Sequence, residues 1–281
     1  MSTATTAASA SDEDRLRRHS GVSALIRRPE LASLLGLALV FALFMFVAPA
    51  FRSLDAVATV LYASSTLGIV ALAVGLLMIG DEFDLSSGVA VTTAALAATM
   101  LNYNLHLNVW VGAVIALGIS LAIGALNGVL VTRTGIPSFL ITLAAFLMLQ
   151  GLNLAVTKLV TGQVATPSIS NMAGFDSARA VFASSFSIGG VSIRITVVWW
   201  LLFVAVASFV LFRTTFGNWI FAVGGNQDAA RASGVPVARV KIILFMTVAF
   251  AAWFVGMHTL FAFDSIQAGQ GVGNEFLYII A

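Results

Sequence analysis

The sequence predicts an all-α protein, a polytopic bundle of transmembrane helices with seven complete spans and the start of an eighth. Of its 281 residues, 59% are hydrophobic and only 9% are charged, whereas soluble domains carry roughly 25% charged residues. A helix needs about 17 to 25 mainly apolar residues to cross the hydrocarbon core of a bilayer. Seven runs meet this requirement, at 31–50, 56–80, 85–101, 107–131, 137–157, 195–213 and 241–264.

The two ends of the chain differ from these runs. Residues 1–28 are small, polar and charged and lack the apolar stretch of a secretory signal. We therefore expect a disordered cytoplasmic tail, followed by a membrane domain over 29–281. An eighth apolar run begins at Phe276 and reaches only Ala281. Since so few residues cannot cross a bilayer, we expect the sequence to be truncated.

Basic residues predict the orientation of the bundle. With the N-terminus in the cytoplasm, ten of the 14 Lys and Arg lie on the cytoplasmic side, where an excess of positive charge belongs. The segment 158–194 then lies outside and the loop 214–240 lies inside. The cytoplasmic set is Arg15, Arg17, Arg18, Arg27, Arg28, Arg133, Arg213, Arg231, Arg239 and Lys241, and the outer set is Arg52, Lys158, Arg179 and Arg194.

Enzyme chemistry and nucleic-acid binding find little support in the residues. The chain has no cysteine, and His258 stands alone in an apolar run, so no metal-ligand spacing is present. Lys158 and Lys241 are the only lysines and neither follows a glycine, which excludes a phosphate-binding GxxxxGK[ST] loop. The net charge is only +2, without a basic stripe. We therefore expect no cofactor, no metal and no nucleic-acid partner on this chain.

A short polar segment at 224–241, GGNQDAARASGVPVARVK, separates two apolar runs. Asn226 is a favourable helix N-cap, and Gly234 suits the left-handed position just past a helix end. The enclosed helix, roughly Gln227 to Ser233, is too short to be stable alone in water. Some other surface must therefore support it.

The residues alone leave that surface open. Small side chains at Ala229, Ala230 and Ala232 predict an exposed side that fits shallow insertion into the cleft of a partner. A capped surface helix that lies on its own bundle is an equal alternative.

Three carboxylates interrupt the apolar pattern in IGDEFDLSSGV, residues 79–89: Asp81, Glu82 and Asp84. At the membrane edge they would be solvated. If the chain re-enters the membrane there, they must face a water-filled cavity or partners, because exposure to lipid costs several kcal/mol. The nearly absent loop between the two runs favours the membrane edge.

A cluster of polar positions also occurs in the fourth and fifth runs, at Asn127, Pro137-Ser138, Thr142, Gln150 and Asn153. Gln150 and Asn153 share a helical face with Thr142. Such residues either line a path or form hydrogen bonds between helices, and the sequence does not decide between these roles.

The fourth apolar run contains a GxxxG pattern, Gly124 and Gly128. Glycines at this spacing let helix backbones approach closely within a bilayer. The pattern predicts tight packing inside the bundle.

Three passages of the chain resemble the membrane-spanning subunits of bacterial ABC importers for ribose, xylose, galactose and related sugars. They are GDEFDLSSG at 80–88, GALNGVLVTRTGIPSFLITLAAFLMLQGLNLAVT at 124–157, and FGNWIFAVGGNQDAARASGVPVARVK at 216–241, in the order found in the family. The resemblance extends from about residue 30 to the end, where the family continues into further helices. Asp81 and Ser87 depart from it, since the family more often has small or apolar residues there.

The resemblance implies a permease subunit that moves a monosaccharide or similar small polyhydroxylated solute across the bacterial inner membrane by alternating access. It also implies that the loop 214–240 carries a coupling helix that docks on a separate ATP-hydrolysing subunit. ATP and Mg would bind to that partner, so the chain itself would be no enzyme. The docking positions that match the family are Gly225, Asn226, Ala229, Ala230 and Gly234.

Further partners implied by the resemblance are a second permease subunit, identical or different, and an extracytoplasmic solute-binding protein, with membrane lipid around the bundle. The segment 158–194 is a candidate surface for the binding protein. For the solute path, the candidates are polar residues whose donors and acceptors suit hydroxyl groups: Asp84, Ser86, Asn127, Thr142, Gln150 and Asn153.

Three alternatives remain. The first is a permease of the same superfamily for branched-chain amino acids or another non-sugar solute. The second is an ATP-independent secondary transporter, which predicts ion-coupling charges and inverted repeats, although the sequence contains no convincing internal repeat. The third is a membrane scaffold that transports nothing.

Overall fold

The computed structural model describes residues 29–281, and the predicted tail at 1–28 lies outside them. The chain divides into a short unit that ends at Val57 and a larger unit over Ala58–Ala281. Helix α2 (Leu54–Ile79) begins in the first unit and continues through the second.

In the short unit, an arginine closes the first helix. Helix α1 (Pro29–Val47) is followed by a 3-10 turn at Pro49–Arg52. The Arg52 side chain donates from Nε to the carbonyl oxygen of Met45 at 2.6 Å and from Nη2 to that of Phe46 at 3.2 Å. The last carbonyls of a helix have no partner within the helix, so this cation satisfies two of them.

Nine helices and one hairpin follow α2 in the described part of the chain. Their bounds are α3 (Ser87–Leu105), α4 (Val109–Thr134), α5 (Ser138–Thr161), α6 (Phe175–Phe182), β1 (Ser185–Ile188), β2 (Val191–Arg194), α7 (Ile195–Arg213), α8 (Thr215–Gly225), α9 (Gln227–Ala232), α10 (Val237–Phe263) and α11 (Asn274–Ile280).

Seven long helices lie where the sequence predicts spans. Among the described residues, five of them are long and apolar enough to cross a membrane, namely α2, α4, α5, α7 and α10. Of the other two, α1 counts over Ser33–Val47 alone as a shorter apolar helix, and α3 is not among the candidate spans, so the predicted count of seven spans is not confirmed. Twelve residues of α3 are buried, and a helix enclosed by protein can carry polar residues that lipid would exclude.

Helices α3, α4 and α10 form the centre of the larger unit. Inside the bundle, 72% of the apolar stretch of α10 is buried, against 17% of that of α7. Phe245, Met257 and Phe261 of α10 are completely buried. Helix α7 therefore presents most of its apolar surface outward, as a helix in contact with lipid does.

The segment between α5 and α7 contains a hairpin that the all-α prediction omits. Strands β1 and β2 pair antiparallel, with Ser185 opposite Arg194 and Ile188 opposite Val191. Gly189 and Gly190 have φ angles of 59° and 85°, and two consecutive positive φ angles are what the tightest hairpin turns require. A Gly-Gly pair between two short alternating segments is the signal that predicts such a hairpin.

The GxxxG of α4 packs against α10, as the sequence predicts. A Cβ on Gly124 would lie 2.7 Å from Cβ of Ala249, and a Cβ on Gly128 would lie 2.8 Å from Cα of Ile242. Real Cβ atoms essentially never approach other atoms so closely, so both positions require glycine.

Replacing Gly124 with valine is expected to lower the free energy of unfolding by about 1 to 3 kcal/mol, the usual cost of overpacking. Gly118 on the same helix is the matched control, because a Cβ there meets nothing within 4 Å. Thermal unfolding of the purified protein in detergent measures both effects. Equal midpoints for Gly124→Val and Gly118→Val would contradict the close packing of α4 on α10.

Candidate functional site

The segment between α2 and α3, residues 80–86, runs into the bundle. Near the start of this segment, Glu82 pairs with Lys241 of α10. Past the end of the segment, in α3, the carbonyl oxygen of Val91 would lie 2.5 Å from a Cβ on Gly256 of α10. Lys241 and Gly256 are about 22 Å apart along the helix, at 1.5 Å per residue. From the end of α2 to the second turn of α3, the chain therefore follows α10 from near its N-terminal end towards its C-terminal end.

Two of the three carboxylates in this region are buried. Asp81 is exposed and has a positive φ of 62°, whereas Glu82 and Asp84 are 6% and 3% exposed. The expectation that these carboxylates are solvated is therefore wrong for Glu82 and Asp84. The chain turns inward after Asp81, and other residues supply the partners that water would have supplied.

Asp84 is the centre of a buried hydrogen-bond network. Its Oδ1 accepts from the backbone N–H of Ser86 at 2.8 Å and from the Ser86 hydroxyl at 2.6 Å. Asn127 of α4 donates from Nδ2 to the Ser86 hydroxyl oxygen at 3.2 Å. The structure thus joins three of the predicted path residues in one network.

Helix α5 holds the backbone of the same segment. The hydroxyl oxygen of Ser138 accepts from the N–H of Phe83 at 2.9 Å, and that of Thr142 accepts from the N–H of Leu85 at 3.1 Å. A buried backbone N–H without a partner is costly. These two hydroxyl groups therefore stabilise a non-helical segment inside a helical bundle, and the sequence identified both residues as polar positions near or within the spans.

The other two predicted path residues lie further along α5. Asn153 is 5% exposed and its Nδ2 has no hydrogen-bond partner within the described structure, while Gln150 is half-buried. The structure therefore groups Asp84, Ser86, Asn127 and Thr142 and leaves this pair apart from them. An unpartnered buried amide is uncommon in folded proteins, and it leaves Asn153 free to donate to a ligand or a water molecule.

A buried ion pair connects the polar segment to α10. Lys241 donates from Nζ to Oε1 of Glu82, and both side chains are almost completely buried. From the sequence, Lys241 was assigned only a role in orientation. No local signal reveals the pair, because its members are 159 residues apart.

The short helix α9 has the end signals that the sequence predicts. The side chain of Asn226 accepts from the N–H of Ala229 at 3.0 Å, and Gly234 has a φ of 86°. The helix spans Gln227–Ala232 and ends one residue earlier than expected. Its exposed surface also includes an ion pair between Asp228 and Arg231 at 3.1 Å.

The orientation of α9 differs from the prediction at one alanine. Ala229 and Ala232 are exposed, but Ala230 is only 3% exposed and belongs to the hydrophobic core. Residues three apart share a helical face, while the next residue points about 100° away. Helix α9 therefore lies on its own bundle through Ala230 and leaves Ala229 and Ala232 open.

Helix α8 joins this exposed helix to the start of the buried segment. A Cβ on Gly224 would lie 1.8 Å from the carbonyl oxygen of Ile79, so the end of α8 touches the end of α2. At Gly225, the glycine that the sequence singled out, a Cβ would meet nothing within 4 Å. Close packing therefore explains why residue 224 is glycine, but it does not explain the glycine at 225.

A bundle of long apolar helices with a polar segment buried at its centre is the architecture of a multi-pass membrane protein, and its buried hydrogen-bonding groups suit a transport subunit. Residues 56–281 match the family described as the permease component of the branched-chain amino acid transport system. The chain belongs to this family.

Bacterial import permeases are similar to this chain over most of its length. The ribose import permease protein RbsC of Escherichia coli K12 is 31% identical over 254 residues, which cover 90% of this chain and 75% of the relative. RbsC of Haemophilus influenzae is 29% identical over 255 residues with the same coverage. The galactose/methyl galactoside import permease protein MglC of Salmonella typhimurium is 32% identical over 222 residues, 74% of this chain and 64% of the relative. No solved structure matches the chain.

Proposed function

We propose that this chain is the membrane-spanning subunit of an ATP-driven importer for a monosaccharide or a similar small polyhydroxylated solute. The relatives named for ribose and galactose import support this solute class. The observation that carries the proposal is the connection of the exposed helix α9, through the residues that flank it, to the end of α2 and to the buried polar segment 80–86. Such a connection is what an external motor requires to act on the interior of a bundle.

The connection consists of two contacts, one on each side of α9 in the sequence. Before it, Gly224 packs on the carbonyl of Ile79, and after it, Lys241 pairs with Glu82. A displacement of α9 therefore reaches both the end of α2 and the segment that leads to Asp84. In this mechanism a separate ATP-hydrolysing subunit, which binds ATP and Mg, moves α9, and the bundle alternates between inward and outward openings. ATP binding must then favour one global state over the other.

The orientation and the remaining partners belong to the same proposal. The N-terminus and the loop 214–240 lie in the cytoplasm, in accordance with the distribution of basic residues, and the protein resides in the bacterial inner membrane. A second permease subunit, identical or different, completes the transmembrane pathway. The hairpin of the outer segment 158–194 is exposed along β1 and offers a surface to an extracytoplasmic solute-binding protein.

The predicted path residues contribute in two ways. Asp84, Ser86, Asn127 and Thr142 direct their hydrogen bonds at one another and at the backbone, so they position the segment that leads into α3. Gln150 and Asn153 are not part of this network. Among the six residues, Asn153 has a buried amide without a hydrogen-bond partner in the described structure, so it can donate to a hydroxyl group of the solute during transport.

The family description favours a second candidate, a permease for branched-chain amino acids. The two solutes differ in charge, because an amino acid is a zwitterion and a monosaccharide is neutral. They can therefore be separated in one experiment.

Coexpression of the chain with an ATPase subunit and a solute-binding protein from the same organism, followed by reconstitution in liposomes, tests the function. We expect uptake of radiolabelled ribose or galactose that requires ATP and that leucine does not inhibit. Replacement of the ATPase by a variant that cannot hydrolyse ATP is the control and should abolish uptake. ATP-dependent uptake of leucine would favour the second candidate, and sugar uptake without ATP would contradict the coupling to a motor.

A further inference from the structure

A second polar region lies where α2, α3 and α10 meet the segment 264–273. It contains a cavity of about 180 Å³, more than ten times the ~10 to 15 Å³ that a single water molecule requires. Its polar lining comes from elements far apart in the chain. These residues include Tyr62, Thr66, Thr92, His258, Gln270 and Asn274.

Two hydrogen bonds, one buried and one partly buried, orient the imidazole in the wall of this cavity. His258 Nδ1 lies 2.8 Å from the carbonyl oxygen of Phe182, and Nε2 lies 2.9 Å from the hydroxyl of Tyr62. A carbonyl can only accept, so Nδ1 carries the proton and, in the neutral imidazole, Nε2 accepts from Tyr62. The Tyr62 oxygen then keeps lone pairs that can accept from a ligand hydroxyl group.

Another part of the wall is irregular backbone that packs closely against α3. Thr92 donates its hydroxyl to the carbonyl oxygen of Gln270. A Cβ on Gly88 would lie 2.8 Å from the carbonyl oxygen of Gly271, so the two backbones are in contact. In membrane proteins such irregular backbone is tolerated where it is buried in protein or lines a water-filled cavity, and interrupted helices of this kind form substrate sites in transporters.

The charges around the cavity distinguish between the two candidate solutes. None of the described residues that line it is Asp, Glu, Lys or Arg. Two charged residues lie near the cavity without lining it. Arg194 lies over the ring of Tyr62, 5.5 Å from its centroid, and the buried Glu275 accepts from the N–H of Gly273 with its two carboxylate oxygens at 3.1 and 3.0 Å. A zwitterionic amino acid would need paired charges once it is out of water, whereas a neutral polyol needs only donors, acceptors and apolar ring faces, which Tyr62 and Tyr278 supply.

We infer that this cavity, bounded by Tyr62, Thr92, His258 and Gln270, is the site at which the permease binds its solute, and that the solute is a neutral polyhydroxylated molecule. The inference rests on the proposed function and deepens it. In contrast to the Asp84 network, whose hydrogen bonds are made within the protein, the cavity has space and free hydrogen-bonding capacity.

The absence of cysteine from the chain allows a binding test that needs no turnover. A single cysteine is introduced by Thr66→Cys in the cavity wall, and Asn104→Cys, at an exposed position on α3, is the matched control. The full chain in detergent is treated with a small water-soluble maleimide. We expect saturating ribose or galactose to slow labelling of Thr66→Cys by about fivefold or more, with no effect of leucine and no effect of any solute on Asn104→Cys. The inference would be overturned if only leucine protected Thr66→Cys from labelling, or if neither monosaccharide protected it.

A transport measurement separates this inference from the proposed function. Tyr62→Phe and Gln270→Leu each remove hydrogen-bonding groups from the cavity, and Tyr103→Phe removes an exposed hydroxyl group on α3. We expect the two cavity variants to raise the KM for monosaccharide uptake roughly three- to tenfold, the effect of a lost neutral hydrogen bond. The amount of assembled importer should equal that of Tyr103→Phe, which should itself keep the wild-type KM.

Wild-type sugar uptake with an unchanged KM in both cavity variants would place the site elsewhere and leave the proposed function intact. If the wild-type importer moves no monosaccharide at all, the proposed function fails, and the inference fails with it.

Discussion

Arginine at Ala229 or Ala232 is expected to abolish the stimulation of ATP hydrolysis by solute in the assembled importer. Both alanines lie on the exposed side of α9, where a small side chain permits shallow insertion into a partner. A charged side chain that is buried without a partner costs about 2 kcal/mol or more, which lowers the affinity for the ATPase subunit by at least about 30-fold. The folded bundle should be unaffected, since neither position is in its core.

Copurification of the ATPase subunit and its solute-stimulated activity in liposomes measure this effect. Ala229→Ser is the matched control, because serine stays small and uncharged, and it should behave as wild type. Ala230→Arg should act differently: this position is in the hydrophobic core, so we expect less folded protein rather than a folded bundle that is uncoupled. Full stimulation in Ala229→Arg would contradict docking through the exposed side of α9.

Replacing Lys241 with methionine is expected to lower the free energy of unfolding by about 3 to 5 kcal/mol, the usual effect of removing one member of a buried ion pair. The carboxylate of Glu82 would remain buried among helices without its partner. Thermal unfolding in detergent measures the loss. Arg239→Met is the matched control, since it removes a positive charge two residues away at an exposed position and should change stability by only about 0.5 kcal/mol.

The double variant Glu82→Met with Lys241→Met separates stability from transmission. Exchange of both members of a buried pair for apolar residues is often neutral for stability, so the unfolding midpoint should return towards that of the wild type. If the pair transmits the movement of α9, uptake should remain low in this stable protein. Restored uptake would show that the pair only stabilises the bundle. Equal unfolding midpoints for Lys241→Met and Arg239→Met would show that the pair does not stabilise the bundle either.

Local signals in the sequence predicted most of the helical architecture. Long apolar runs located the seven long helices, because the length and composition of a span are properties of one continuous stretch. The ends of α9 were predicted for the same reason: the Asn226 cap and the left-handed Gly234 depend on a few neighbouring residues. The hairpin at 185–194 had a comparable local signal in its Gly-Gly turn and was overlooked.

Faces and partners were predicted less well. Ala230 resembles Ala229 in every local respect, and only the packing of α9 on the bundle buries it. Ser138, identified from the sequence only as one of several polar positions, supplies an acceptor to the partly buried N–H of Phe83. His258, apparently isolated in an apolar run, lies beside Tyr62 from a helix 196 residues away in sequence.

The sequence by itself determined that this protein is a helical membrane bundle of a permease family, because hydrophobicity, helix ends and motifs depend only on residues that are close together in the chain. Only the tertiary structure decided that Glu82 and Asp84 are buried, that Lys241 neutralises one of them, and that an uncharged cavity forms beside His258. These features depend on which side chains from distant segments meet, and burial and pairing then set the free energy of every charge and hydrogen bond involved.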